Sequence, residues 1–137
     1  MKKTSVAVLG LGYVGHPLAI NFGKFLNTTG FDISKKKINN FKKNIDSTFI
    51  INKVQFNKAK FLFYSNNPKS IKQANFKIIA LPTPVYKNNQ PDLRLLIDGC
   101  STTGKNLKKG DIIIIESTVY PGTTEEICIS IFEKYSG

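Results

Sequence analysis

Gly10-x-Gly12-x-x-Gly15 follows directly on the apolar run Val6-Ala7-Val8-Leu9. It leads into a helical pattern of Val14, Leu18, Phe22, Phe25 and Leu26. Strand, glycine turn and helix in that order are the setting in which this spacing holds a dinucleotide. Gly10 turns the chain off the strand, Gly12 leaves the backbone bare for a pyrophosphate, and Gly15 lets the helix approach the sheet. Leu11, Tyr13 and Val14 complete the loop, whose N–H groups and helix-dipole end face the phosphates. Asp32 follows Gly10 by 22 residues, at the expected end of a second strand. A carboxylate there accepts hydrogen bonds from the adenosine ribose hydroxyls and repels a 2′-phosphate, so it selects NAD over NADP. Thr83 and Thr118 fall at later strand ends. Their hydroxyls either bond ribose or the nicotinamide amide, or cap turns.

The other reactive residue types point to less. Cys100 and Cys128 have no C-x-x-C spacing and fall on predicted helix faces, the pattern of inert buried thiols. His16 is the single histidine and has no cluster of metal ligands beside it. Basic residues outnumber acidic ones by 20 to 9, a formal charge of +11. All but Arg94 are lysines, and they are scattered among abundant asparagines. Lys35-Lys36-Lys37 reads as the solvated face of a helix. No nucleic-acid motif or aromatic–basic interleaving accompanies it, so no nucleic-acid partner is expected.

A chain of 137 residues suffices for one domain with its own core. No apolar run is long enough to span a membrane. Lys2-Lys3 before an apolar stretch faintly resembles a leader, but glycines break that stretch and no small-residue cleavage site follows. The expectation is a cytoplasmic protein with no membrane partner.

Stepping along the chain, strands are predicted at Val6–Leu9, Leu26–Ile33, Phe61–Tyr64, Phe76–Leu81 and Ile112–Ile115. The first, fourth and fifth read as continuous apolar strands buried on both faces. Between them lie helices. One has Ser34 as N-cap and a stripe of Ile38, Phe41 and Ile45. A short helix is allowed within residues 46–60, and another opens at Pro68. A longer one carries Leu93, Leu96, Ile97, Cys100 and Leu107 on one face. Residues 87–92 read as a flexible polar loop. Thr123 with Glu126 predicts a capping box for the last helix. Alternating strands and helices give an α/β fold, a Rossmann-type doubly wound parallel sheet of five strands in the order 3-2-1-4-5. The full fold has a sixth strand, which this sequence does not reach.

Taken together these segments resemble the UDP-glucose/GDP-mannose dehydrogenases, in their N-terminal NAD-binding domain. The resemblance rests on Gly10 to Gly15, Gly30-Phe31-Asp32-Ile33, Leu81-Pro82-Thr83-Pro84, Asn89-Gln90-Pro91-Asp92-Leu93 and the run from Glu116 to Glu126. The Pro-Thr-Pro loop and the Glu-Ser-Thr-Val-Tyr-Pro-Gly run are most similar to the branch that oxidises UDP-N-acetylhexosamines for bacterial surface polysaccharides. The family oxidises the C6 alcohol of a nucleotide sugar to a carboxylate with two NAD. By this resemblance the loop Gly10, Leu11, Gly12, Tyr13, Val14, Gly15 holds pyrophosphate and Asp32 the adenosine ribose. Lys37 is the family's basic residue five positions after that acid, while Pro82, Thr83 and Thr118 match its NAD-contacting positions.

Two departures stand out. His16 occupies the family's leucine position and reads as tolerated variation. The family's cysteine nucleophile, its bases, most sugar contacts and its dimerisation helix belong to later segments, and neither cysteine here matches that nucleophile's motif. Residues 1–137 are therefore expected to be one truncated NAD-binding domain. Alone it is expected to be monomeric and to catalyse nothing. The complete enzyme would be a homodimer or larger. The alternative is a non-catalytic NAD-binding or interaction module.

Overall fold

The computed structural model describes residues 2–117 and 122–137. Five parallel strands lie in the order β3-β2-β1-β4-β5. They are β1 (Ser5–Leu9), β2 (Asn27–Phe31), β3 (Leu62–Ser65), β4 (Phe76–Ile79) and β5 (Ile112–Ile115). The helices are α1 (Gly15–Gly23), α2 (Lys35–Lys42), α3 (Lys53–Lys58), α4 (Arg94–Gly104) and α5 (Ser130–Ser136). A 3-10 turn at Pro68–Gln73 precedes β4, and a π-helical segment, Thr124–Ile129, runs into α5.

Alternation along β1 explains the layering. Val6 and Val8 face one side, where Ala19 and Ile20 of α1, Ile38 and Phe41 of α2 and Phe56 of α3 close a core. Ala7 and Leu9 face the other side, against Phe31, Ile71 and Ala74. On that same side Ile79 packs with Leu96 and Cys100 of α4 and with Cys128 and Phe132. Each such side chain taken out of water contributes roughly 2 kcal/mol, and strands buried on both faces read as unbroken apolar runs.

Several local expectations shift. The expected strands at Leu26–Ile33 and Phe76–Leu81 are shorter, at Asn27–Phe31 and Phe76–Ile79. Ser34 caps α2 as read, its side chain accepting from Lys37 N. However, α2 ends at Lys42 and Asn44 takes a positive φ of 58°, so Ile45 leaves the stripe and is exposed. A capping box forms at Asn52 and Gln55 of α3. The predicted box at Thr123 does not form: Thr123 is itself helical (φ −58°, ψ −41°), outside the extended geometry an N-cap needs. Residues 85–91 form an ordered turn, closed by a Val85–Pro91 bridge and by Tyr86 N donating to Gln90 O. The apolar reading of β4 overlooked Lys77. Its ammonium is fully buried and donates to Ala74 O (2.6 Å) and to Asp111 Oδ2 (2.5 Å). Burial pushes its pKa down, and Asp111 opposes that shift. β5 is not buried on both faces, because it is the edge strand. Ile113 and Ile115 pack on α4, while Ile112 and Ile114 stay 48% and 36% exposed.

Among the described residues no helix is long and apolar enough to cross a membrane, and no group of three or more His, Cys, Asp or Glu is placed to hold a metal.

Candidate functional site

The carboxyl ends of β1, β2, β4 and β5 meet at one end of the sheet. Backbone bonds fix their register there: Gly10 N donates to Phe31 O (2.9 Å), Ala80 N to Leu9 O (2.8 Å) and Glu116 N to Ile79 O (2.8 Å). Beyond them opens a crevice of about 410 Å³. Parallel α/β sheets place their ligands here, where the strand order reverses between β1 and its neighbours.

The glycine turn builds the crevice floor. Gly10 has φ +93°, and a Cβ on it would lie 2.5 Å from Ala80 O. A Cβ on Gly15 would lie 1.7 Å from Gly10 O, so α1 touches the turn itself. Neither position has room for a side chain. Gly12 differs: nothing lies within 4 Å of where its Cβ would be. Its backbone is open to a ligand. The N-cap position of α1 is Val14, which makes no side-chain cap bond, and no acidic residue stands in the first turn. The first-turn N–H groups thus receive no side-chain cap, as an anion-binding helix end requires.

Asp32 stands directly after β2, nearly buried. Its Oδ2 accepts from Leu11 N (3.0 Å) and its Oδ1 from Ser34 N (2.9 Å). These two bonds hold the carboxylate rigidly on the crevice wall, with acceptor capacity left over. Lys37 on α2 places its ammonium 3.5 Å from Asp32 Oδ2. On the opposite wall Pro82 and Thr83 follow β4, with Glu116 and Ser117 following β5. The Ser117 hydroxyl accepts from Leu81 N (3.1 Å) and ties those two strand ends together. Tyr13 and Val14 form an exposed apolar rim. A further hollow of about 130 Å³ continues past Asp32, between Ile33 and the Leu95, Asp98 and Thr102 side of α4.

Gly10, Leu11, Gly12, Tyr13, Val14, Asp32, Lys37, Pro82 and Thr83 thus line one crevice. Gly15 lies beneath it as a packing residue, and Thr118 falls outside the described residues. Residues of α4 beside Asp32 carry no motif, and only the fold brings them there. His16 faces away from the crevice. It is buried against Phe41, with ring centroids 3.9 Å apart, and its Nε2 pairs with Tyr64 Oη at 2.8 Å. Burial lowers its pKa to about 4, against the attraction of Asp46, so the ring is neutral near pH 7. It is a core residue of α1 and not a phosphate ligand.

Comparison with known proteins agrees with this geometry. Residues 4–137 match the UDP-glucose/GDP-mannose dehydrogenase family, NAD binding domain. The chain is 46% identical over 137 residues to UDP-N-acetyl-D-glucosamine 6-dehydrogenase of Pseudomonas aeruginosa, covering 100% of this chain and 32% of that protein. It is 47% identical over 135 residues to Protein CapL of Staphylococcus aureus, covering 97% of this chain and 31% of that protein. The solved UDP-D-ManNAc dehydrogenase of Pyrococcus horikoshii superposes with a TM-score of 0.86 at 30% identity, over 98% of this chain and 33% of that one. The chain therefore spans about a third of the length of the curated relatives it matches. A Rossmann sheet with a bare Gly12, an uncapped helix end and an anchored Asp32 is what an NAD-binding domain needs, and the chain belongs to the UDP-glucose/GDP-mannose dehydrogenase family through that domain.

Proposed function

We propose that this chain is the cofactor half of a UDP-N-acetylhexosamine 6-dehydrogenase. The single observation that carries the site assignment is Asp32, held by Leu11 N–H and Ser34 N–H at the end of β2 beside the open backbone of Gly12. On this reading the loop from Gly10 to Val14 receives the pyrophosphate, with Gly15 packing α1 beneath it. Asp32 accepts the adenosine ribose hydroxyls, and Lys37 adds positive charge beside them. The hollow flanked by Ile33 and Leu95 takes the adenine. Pro82 and Thr83 lie along the nicotinamide half, and the family resemblance gives Thr118 the same role. NAD, when bound, supplies the hydride acceptor. The residues described above bind and orient it.

Similarity to the P. aeruginosa 6-dehydrogenase supports a UDP-N-acetylhexosamine as the substrate of the complete enzyme. Cys100 and Cys128 are buried away from the crevice walls, so this chain contributes cofactor binding and not covalent chemistry. The complete enzyme would be a cytoplasmic homodimer or larger assembly.

Calorimetric titration tests the site. NAD is expected to bind and NADP to bind more weakly. Asp32→Ala is expected to lose about tenfold or more in NAD affinity, the scale of one charge-assisted hydrogen bond. Equal affinity of wild type and Asp32→Ala for NAD would remove the assignment.

A further inference from the structure

The hollow of about 130 Å³ beside Asp32 is continuous with the crevice, since Gly10, Asp32 and Leu81 line both. Its walls are mostly apolar: Leu9, Phe31 and Ile33 at the ends of β1 and β2, and Leu95 on α4. α4 comes this close because its packing residue is a glycine. A Cβ on Gly99 would collide with Leu81 Cδ1. That approach brings Asp98 and Thr102, one helical turn apart, to the wall of the hollow.

Asp98 differs from the other aspartates. Asp32, Asp46, Asp92 and Asp111 each accept hydrogen bonds inside the protein. Among the described residues Asp98 makes no hydrogen bond and no ion pair, in a chain with 20 basic residues. Its full acceptor capacity is therefore free. The other polar side chains of the hollow are Asp32, already anchored by Leu11 N and Ser34 N, and Thr102. No lysine or arginine lines it, so its charged groups only accept. We propose that Asp98 is a specificity-determining residue that selects the base of the cofactor: its carboxylate accepts a hydrogen bond from the 6-amino group of adenine and disfavours a 6-oxo purine. This role rests on the cofactor reading above, which puts adenine in the hollow.

Apolar walls hold any purine, because ring burial does not depend on the group at C6. Discrimination must come from a polar side chain. Adenine presents a donor at C6, whereas hypoxanthine presents an oxygen that only accepts. A carboxylate opposite that oxygen sets acceptor against acceptor, and both lose water without gaining a bond. A site that bonds one polar group of its ligand rejects an analogue lacking it more strongly than an apolar wall rejects a change of size. The Asp98 charge also opposes the pyrophosphate. That repulsion is the same for NAD and for its hypoxanthine counterpart, which carry equal charge. The ratio of the two affinities therefore isolates the contact with the base.

Calorimetric titration of the chain with NAD, nicotinamide hypoxanthine dinucleotide and NADP, repeated with Asp98→Asn and Thr102→Val, tests the role. The wild type is expected to bind NAD about tenfold more tightly than the hypoxanthine dinucleotide. In Asp98→Asn the amide can turn either its oxygen or its NH2 to the base, and the ratio is expected to fall below about threefold. The preference of that variant for NAD over NADP is expected to persist, because Asp32 sets it. Thr102→Val is expected to keep the wild-type ratio, since a hydroxyl both donates and accepts and cannot tell the two bases apart. Asp98 is exposed, so the thermal midpoint of Asp98→Asn should match the wild type. A ratio that survives in Asp98→Asn, or that Thr102→Val abolishes instead, overturns the role. A wild type that binds the hypoxanthine dinucleotide equally or more tightly overturns it as well. The two failures are distinguishable. If Asp32→Ala keeps the wild-type affinity for NAD, the cofactor reading falls and the Asp98 role with it. If Asp32→Ala loses NAD while Asp98→Asn leaves the ratio unchanged, only the Asp98 role falls.

Discussion

β1 and β5 are both four-residue apolar runs ending at the crevice, yet they live in different surroundings. β1 lies at the centre of the sheet, and Val6 through Leu9 are buried on both faces. β5 lies at the edge, and Ile112 and Ile114 face solvent where none of the described helices covers them. The crevice ends differ as well. β1 runs into a turn with no room for side chains at Gly10 and Gly15, whereas β5 runs into Glu116 and Ser117, joined to its neighbour by one side-chain bond. Apolarity thus sets which residues prefer burial, and position in the sheet sets how much stability they return. An uncovered, uncharged edge strand is also a surface on which chains associate.

The largest break in that comparison should come at the β1 turn. Gly15→Ala puts a methyl group onto the carbonyl of Gly10, a backbone atom that cannot yield. It should cost more than about 4 kcal/mol and abolish a cooperative urea transition. A near-normal urea midpoint would show that the turn relaxes.

Acid should next separate the two regions. His16, behind the β1 turn, has a folded pKa of about 4 against an ordinary 6.5. The unfolded chain therefore binds its proton first. Stability is full above about pH 6.5 and falls by up to about 3 kcal/mol as the pH drops towards 4. Asp111, at the foot of β5, is a carboxylate. Burial raises its pKa, but bonds from Lys77 and Lys108 win and hold it below 3.8. Its contribution is present above that value and is lost only as pH falls further. Urea midpoints across pH 7 to 4 should slope for the wild type and flatten for His16→Leu. Parallel slopes would move the acid sensitivity to another group.

Smaller deletions compare the strands directly. Val8→Ala should cost about 2 kcal/mol, because the cavity is closed on all sides. Ile114→Ala should cost less than about 1 kcal/mol, since water already reaches that side chain. Thermal melts of the pair test this. Equal losses would mean that the exposed face of β5 is covered in solution, and light scattering would then detect the association.

The strand order, the glycine turn and Asp32 were legible because each depends on local chemistry: alternation of apolar runs, a bare backbone at Gly12, a carboxylate at a strand end. Ser34 as a cap and Pro68 as a turn opener were readable for the same reason. Errors arose where a residue's neighbours come from far along the chain. Thr123 fits the capping-box pattern, but it takes helical angles itself and the segment after it is a π turn. Lys77 interrupts an apolar run and still lies in the core, because Asp111, 34 residues away, meets it there. His16 reads only as tolerated variation, and the structure gives its reason: Tyr64 and Phe41 hold it on the inner face of α1.

By itself the sequence determined the fold class, the dinucleotide motif and the NAD-binding family, since backbone freedom, hydrophobic period and charge are carried by single residues and short spacings. The tertiary structure alone decided that β5 is half exposed, that α4 borders the hollow beside Asp32 and that Cys100 and Cys128 share one buried cluster. These follow from which elements become neighbours, and burial and contact are properties of neighbours that no single stretch of chain contains.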